Sequence, residues 1–82
     1  MGDFILRIWL RGMMMQDRDN WQLYWYAVVD PDIVSAATAY MFQLAQEQGI
    51  PESRLPFVNW FKFLAENKDA MITYLQSIVI IP

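Results

Sequence analysis

The sequence predicts a small α+β domain in which an antiparallel sheet of two or three strands packs on two main helices, in the order ββααβ. Three observations favour this class. Two N-terminal segments alternate along the chain, a central segment carries the signals of a long capped helix, and the chain ends in β-branched residues. The alternative is an all-α bundle in which Phe4 to Gln16 form a helix.

The first predicted strand runs from Phe4 to Arg11. Its side chains would divide between two sheet faces: Phe4, Leu6, Ile8 and Leu10 on one, and Ile5, Arg7, Trp9 and Arg11 on the other. A helix would also bring the two arginines together, but Gly12 closes the segment at strand length. Residues 12–20 then read as a loop, because turn-forming residues follow the three methionines.

The second predicted strand, Trp21–Val29, is rich in aromatic and β-branched residues, which favour pleated surfaces. One face would carry Trp21, Leu23, Trp25, Ala27 and Val29. Two such segments joined by about nine residues most simply pair as an antiparallel ribbon.

A long helix is predicted from Asp30 to about Gln48. Asp30 can cap the free N–H groups, Pro31 suits the first helical position, and Gly49 suits the position after the last turn. The apolar stripe of this helix comprises Ile33, Ala37, Tyr40, Met41 and Leu44. Phe42 lies off the stripe, so another element must cover it or it is exposed.

The second helix, between Pro56 and Asn67, is apolar over roughly 220° of its circumference, about twice what one-sided packing requires. We therefore expect it to present more apolar surface than an 82-residue chain can bury. Asp69 can cap a short third helix that continues to Leu75. The segment Ile78–Ile81 is predicted to add a last strand to the sheet.

Composition narrows the function. The 82 residues allow one domain, 1–82, and 13 of them are aromatic, so some apolar surface should remain for a homodimer contact or another protein. The chain has no His and no Cys, so it lacks the side chains that most often act as catalytic bases and nucleophiles. Without Cys it also cannot form a thiolate metal site. We expect no enzyme activity, no cofactor and no metal site.

The net charge of −3 is weak, and no stretch approaches the roughly 18 apolar residues that a membrane span needs. The N-terminus does not read as a secretory signal. We expect a soluble, cytoplasmic protein.

These observations indicate a non-catalytic protein-interaction protein: a homodimer built on the second helix that acts as a small inhibitor or adaptor of a larger protein. Viruses and mobile elements encode proteins of this kind, by analogy. Large aromatics give much contact area for few frozen torsions, and methionines adapt to a partner. The candidate partner-binding residues are Trp60, Phe63, Phe42, Met13, Met14 and Met15.

Two other functions stay open. A sheet face carrying arginines and aromatics could stack the bases of a single-stranded nucleic acid, although residues 1–29 have no net charge to attract phosphate. Its residues would be Arg7, Trp9, Arg11, Tyr24 and Tyr26. An enzyme would need two of the carboxylates of Asp17, Asp19, Asp30 and Asp32 to converge in a pocket.

Overall fold

A computed structural model of the protein describes residues 2–82, and every regular element in that range is helical. The five α-helices are α1 (Gly2–Gln16), α2 (Trp21–Val29), α3 (Pro31–Glu47), α4 (Trp60–Glu66) and α5 (Lys68–Ile78), and two 3₁₀ segments cover Arg18–Asn20 and Glu52–Phe57. No strand occurs in the described range. The predicted α+β class is therefore wrong, and the all-α alternative agrees with the structure.

The first predicted strand is part of α1. Its buried side chains follow the spacing of three and four residues that places them on one helix face: Leu6, Trp9, Leu10 and Met13. The segment is apolar on almost every side, so a period of two fits its sequence as well as the helical period does. Gly12 does not end the helix, because glycine in a helix interior costs only about 1 kcal/mol and α1 continues to Gln16.

The second predicted strand is α2. Its buried residues are Leu23, Tyr24, Ala27 and Val28, again a helical spacing. Trp21 and Trp25, which a strand would have placed beside Leu23, are half exposed instead. The β-propensity of Trp, Tyr and Val is a weak preference that tertiary packing overrides here.

Helices α1 and α2 form an antiparallel hairpin across residues 17–20. The Trp9 and Tyr24 rings meet edge to face with centroids 6.2 Å apart. Nearer the start of α1, the Arg7 guanidinium donates a hydrogen bond of 2.9 Å to the Val28 carbonyl. That carbonyl lies in the last turn of α2, where no helical donor follows, so Arg7 satisfies it and places positive charge at the negative end of the helix.

Helix α3 confirms the capping prediction. The Asp30 carboxylate accepts hydrogen bonds from the backbone N–H groups of Asp32, at 2.9 Å, and Ile33, at 3.4 Å. Pro31 occupies the first turn, and Gly49 follows the helix with a φ of +89°, which glycine adopts readily. The buried stripe of α3 is Val34, Ala37, Met41, Leu44 and Ala45.

The start of α4 and the end of α5 differ from their predicted positions. Helix α4 begins at Trp60, where the Asn59 side chain caps it by accepting from the Lys62 N–H. Helix α5 runs to Ile78, and stacked rings of Tyr40 and Tyr74, 4.1 Å apart, join it to α3.

The last predicted strand is also wrong, because residues 2–82 contain no sheet for Ile78–Ile81 to join. Ile78 closes α5, and the residues after it have no regular structure. Val79 is buried in the core, whereas Ile80 points into solvent.

The buried side chains form one hydrophobic cluster to which all five helices contribute. Helix α3 packs against both α1 and α2 and so closes the hairpin on its inner side. Among the helices of residues 2–82, none is long and apolar enough to cross a bilayer.

Candidate interaction surface

Two of the predicted partner-binding residues lie inside the protein. Trp60 and Phe63 are only 4% and 6% exposed. The Trp60 ring contacts Phe42 of α3 and Phe63 of its own helix edge to face, with centroids 5.3 and 5.4 Å apart. The chain thus covers the Trp60, Phe63 and Leu64 side chains of α4 itself. Of the aromatic residues of α4, Phe61, 47% exposed, is the one that faces solvent.

The other predicted partner-binding residues divide between core and surface. Phe42 is partly buried against Trp60, which settles the question of what covers it. Met13 is buried, Met14 is partly buried and Met15 is 82% exposed. The three methionines lie in α1 rather than in a loop, so consecutive side chains point in different directions.

The residues proposed for nucleic acid do not form one surface. The sheet face that was to carry them is absent, because both of its strands are helices. Trp9 and Tyr24 are buried in contact with each other, and the Arg7 guanidinium is bound to a backbone carbonyl. Arg11 remains exposed and Tyr26 partly buried, too few groups to stack bases and hold phosphates.

Two of the carboxylates considered for catalysis, those of Asp17 and Asp30, form hydrogen bonds at helix junctions. Asp17 accepts hydrogen bonds from the Tyr24 hydroxyl, at 2.7 Å, and from the Asn20 amide, at 3.1 Å, with the Lys68 ammonium 3.9 Å away. The bond from Tyr24, then that from Asn20, lowers the pKa of Asp17 below its ordinary value. Burial, then the Asp17 carboxylate, raises the pKa of Tyr24.

Asp30, as described, caps α3 and so has a structural partner of its own. Within residues 2–82 no three acidic side chains converge in a way that could hold a metal ion.

The exposed apolar side chains concentrate on the α1–α2 hairpin. Residues 2–82 expose ten large apolar side chains, and six of them belong to these two helices. We call these six the outer face: Phe4, Ile8, Met15, Trp21, Trp25 and Val29. The remaining four are Phe57, Phe61, Ile80 and Ile81.

Helix geometry aligns the outer face. On α2 its members recur every fourth residue, which places them along one side of the helix. On α1 they lie opposite the buried stripe and share their side with Arg11. Since the two helices pack side by side with their buried faces on α3, the two exposed sides point away from the core together.

The outer face is the least acidic part of the protein. Helix α2 contains no charged residue, and α1 contains Asp3, Arg7 and Arg11. Residues 30–82 hold six acidic and three basic side chains, so the whole net charge of −3 comes from that part of the sequence. The outer face is therefore apolar with one exposed arginine, whereas the rest of the protein, residues 30–82, carries the negative charge.

An open groove borders the outer face between α1 and α4. It has a volume of about 380 Å³, and among its lining residues are Ile8, Gly12 and Phe61. A Cβ atom added at Gly12 would meet nothing within 4 Å, so the floor of the groove is open there. Ile8 belongs to both the groove and the outer face, which makes the two continuous.

Sequence reasoning missed the outer face because it assigned both helices to a sheet. The signal is the spacing of four residues between Trp21, Trp25 and Val29, which in a helix places all three on one side. Comparison of the chain with protein-family models, with curated proteins and with solved structures found no match.

Proposed function

We propose that this protein is a non-catalytic interaction protein that contacts a larger protein through the outer face and acts as its inhibitor or adaptor. The observation that carries the proposal is the concentration of six exposed large apolar side chains, two of them tryptophans, on one helical hairpin. Burying such side chains against a partner removes apolar area from water, which is the main driving force of association.

The size of the outer face supports this role. From their exposed fractions, its six side chains present about 600–700 Å² to solvent, taking about 150–250 Å² for a whole aromatic side chain. The largest apolar patch of a typical monomer is about 300–600 Å². A specific interface buries about 800 Å² on each partner. The outer face with its polar rim thus reaches the area that a specific contact uses.

The residue types favour a protein partner. Tryptophan is enriched among the side chains that dominate binding energy at protein interfaces, and Trp21 and Trp25 stand one helical turn apart, each about half exposed. An amphipathic helix lying on a membrane usually carries several basic residues, whereas α2 has none. Nucleic acid would likewise require several cations to neutralise phosphates.

The test compares capture by three immobilised proteins: the wild type, the double variant Trp21→Ser with Trp25→Ser, and Phe57→Ser as a control. Phe57 is 81% exposed but lies outside the outer face. We expect the wild type and the control to retain the same protein from an extract of the source cell, and the double variant to lose it. Retention should persist at 0.5 M salt, because apolar contact is not screened.

A second measurement separates the nucleic-acid alternative. A labelled single-stranded oligonucleotide is titrated with wild type and with Arg11→Gln at increasing salt. Affinity that falls steeply with salt and depends on Arg11 would support that alternative.

In the capture experiment, a protein that the double tryptophan variant retains as well as the wild type does would contradict the proposed surface.

A further inference from the structure

We infer that the α1 part of the outer face binds a second copy of this chain, with the two α1 helices antiparallel and Phe4 of each protomer seated over Gly12 of the other. This inference rests on the proposed function and names one occupant of its surface. Helix α2 of each protomer, with Trp21 and Trp25, stays free, so the dimer presents two such helices to the larger protein.

The first argument is the pairing of a knob with a hole on one surface. Phe4 is 66% exposed, and the groove at Gly12 is open to solvent. An apolar cavity of about 150 Å³ can hold a benzene molecule, so a groove of about 380 Å³ has room for a phenyl ring. Ile8 and Phe61 would give that ring apolar contacts on both sides.

The second argument is the register that a two-fold axis imposes. Phe4 and Gly12 stand four residues before and four residues after Ile8. If the axis passes through Ile8, an antiparallel crossing brings position 4 of one helix opposite position 12 of the other, and the symmetry repeats the contact. The knob and the hole therefore meet twice without any change in the fold.

The third argument concerns Arg11, whose charge is present on both protomers. In this register Arg11 of one protomer lies opposite Ile5 of the other, beside Phe4. The guanidinium can then rest on the Phe4 ring, a favourable cation–π geometry. The two Arg11 positions are separated by about 9 Å along the helix axis, close to the screening length at physiological salt, so their repulsion is small.

The area indicates how strong the contact is. Phe4, Ile8 and Phe61 present about 300 Å² per protomer, and with Arg11 and the helix backbone the dimer buries about 800 Å² in total. Interfaces below about 1,200 Å² are typical of weak, transient contacts. We therefore expect a reversible dimer that dissociates on dilution.

Sedimentation equilibrium of the purified protein between about 1 and 500 μM tests the inference. The wild type should shift from monomer to dimer within this range. Gly12→Leu should weaken the dimer at least tenfold while leaving the monomer folded, because its side chain enters open space and replaces a helix-interior glycine. Phe4→Ala should weaken it similarly, and Phe57→Ala should leave it unchanged.

A cross-link tests the register directly. The natural chain has no cysteine, so Ile8→Cys introduces a single thiol at the proposed axis. Under mild oxidation it should give a disulfide-linked dimer faster than Phe57→Cys does. Helices in close contact bring facing Cα atoms within the 4.4–6.8 Å that a disulfide spans.

Two results would overturn the inference: a monomer throughout the concentration range, or a dimer that both Gly12→Leu and Phe4→Ala leave intact. If Gly12→Leu alters the circular dichroism of the protein, Phe4→Ala decides, since it removes mainly solvent-exposed atoms. A monomer that still retains a protein through Trp21 and Trp25 would leave the proposed function standing. A Gly12-dependent dimer that retains no other protein would support the inference and contradict the larger partner.

Discussion

Replacing Trp60 by alanine tests whether the most apolar helix is core or contact surface. Trp60 is 4% exposed and packs against Phe42 and Phe63. Removing a buried tryptophan side chain costs about 3–5 kcal/mol. An 82-residue domain has a free energy of unfolding of about 4–12 kcal/mol, so Trp60→Ala should remove a large part of it.

Urea denaturation followed by circular dichroism at 222 nm measures this loss without relying on the fluorescence of the deleted residue. With a slope of about 1–1.5 kcal/mol per M for a small domain, the unfolding midpoint should fall by about 2–5 M, or the variant should be unfolded without urea. Phe61→Ala is the matched control on the same helix. Phe61 is 47% exposed, so its loss should cost only about 1 kcal/mol.

Equal losses of stability in the two variants would refute this reasoning. They would mean that Trp60 is no better enclosed than Phe61, and that α4 packs differently from the arrangement described. A Trp60→Ala protein of unchanged stability that failed to dimerise would return the contact surface to α4.

Three further predictions concern the helix junctions. Because hydrogen bonds from Tyr24 and Asn20 lower the pKa of Asp17 in the folded protein, the stabilisation they give is complete above the unfolded value of about 3.8 and is lost as the pH falls through the folded value. Asp17→Asn should flatten this fall in melting temperature below pH 4. Asp30→Ala should cost about 1 kcal/mol in urea denaturation, whereas Asp30→Asn, which still caps, should cost little. Gly49→Ala should lower the melting temperature through a cost of about 1–2 kcal/mol, because alanine is strained at a φ of +89°; an unchanged melting temperature would contradict that backbone geometry.

Helix α3 could be predicted from the sequence because its signals are local. Asp30, Pro31 and Gly49 act on the backbone within a turn of where they stand, and the predicted limits match the observed Pro31–Glu47 closely. Helices α1 and α2 could not be distinguished from strands in this way. Their sequences place large apolar residues on nearly every side, so the choice between periods depends on which neighbours pack against them.

The candidate surface could not be predicted from the sequence either, for the same reason. The excess of apolar residues near Trp60 is visible in the sequence. The Trp60 ring is covered by Phe42, 18 residues earlier, and no local sequence pattern predicts that contact. The strand prediction places Trp21 and Trp25 on one sheet face with Leu23 and so does not single them out as contact residues. Which aromatic side chains stay exposed can be identified only once the packing of the helices against each other is known.

The single residue between α2 and α3 fixes how the two helices are joined. The Asp30 N–H donates to the Tyr26 carbonyl and ends α2, while its carboxylate and its carbonyl begin α3. Because Asp30 both ends α2 and caps α3, one inserted residue here would separate these two roles and change how α3 meets the hairpin. Length variation among related chains should therefore be confined to the turn after Gly49, and this corner should keep its one-residue spacing.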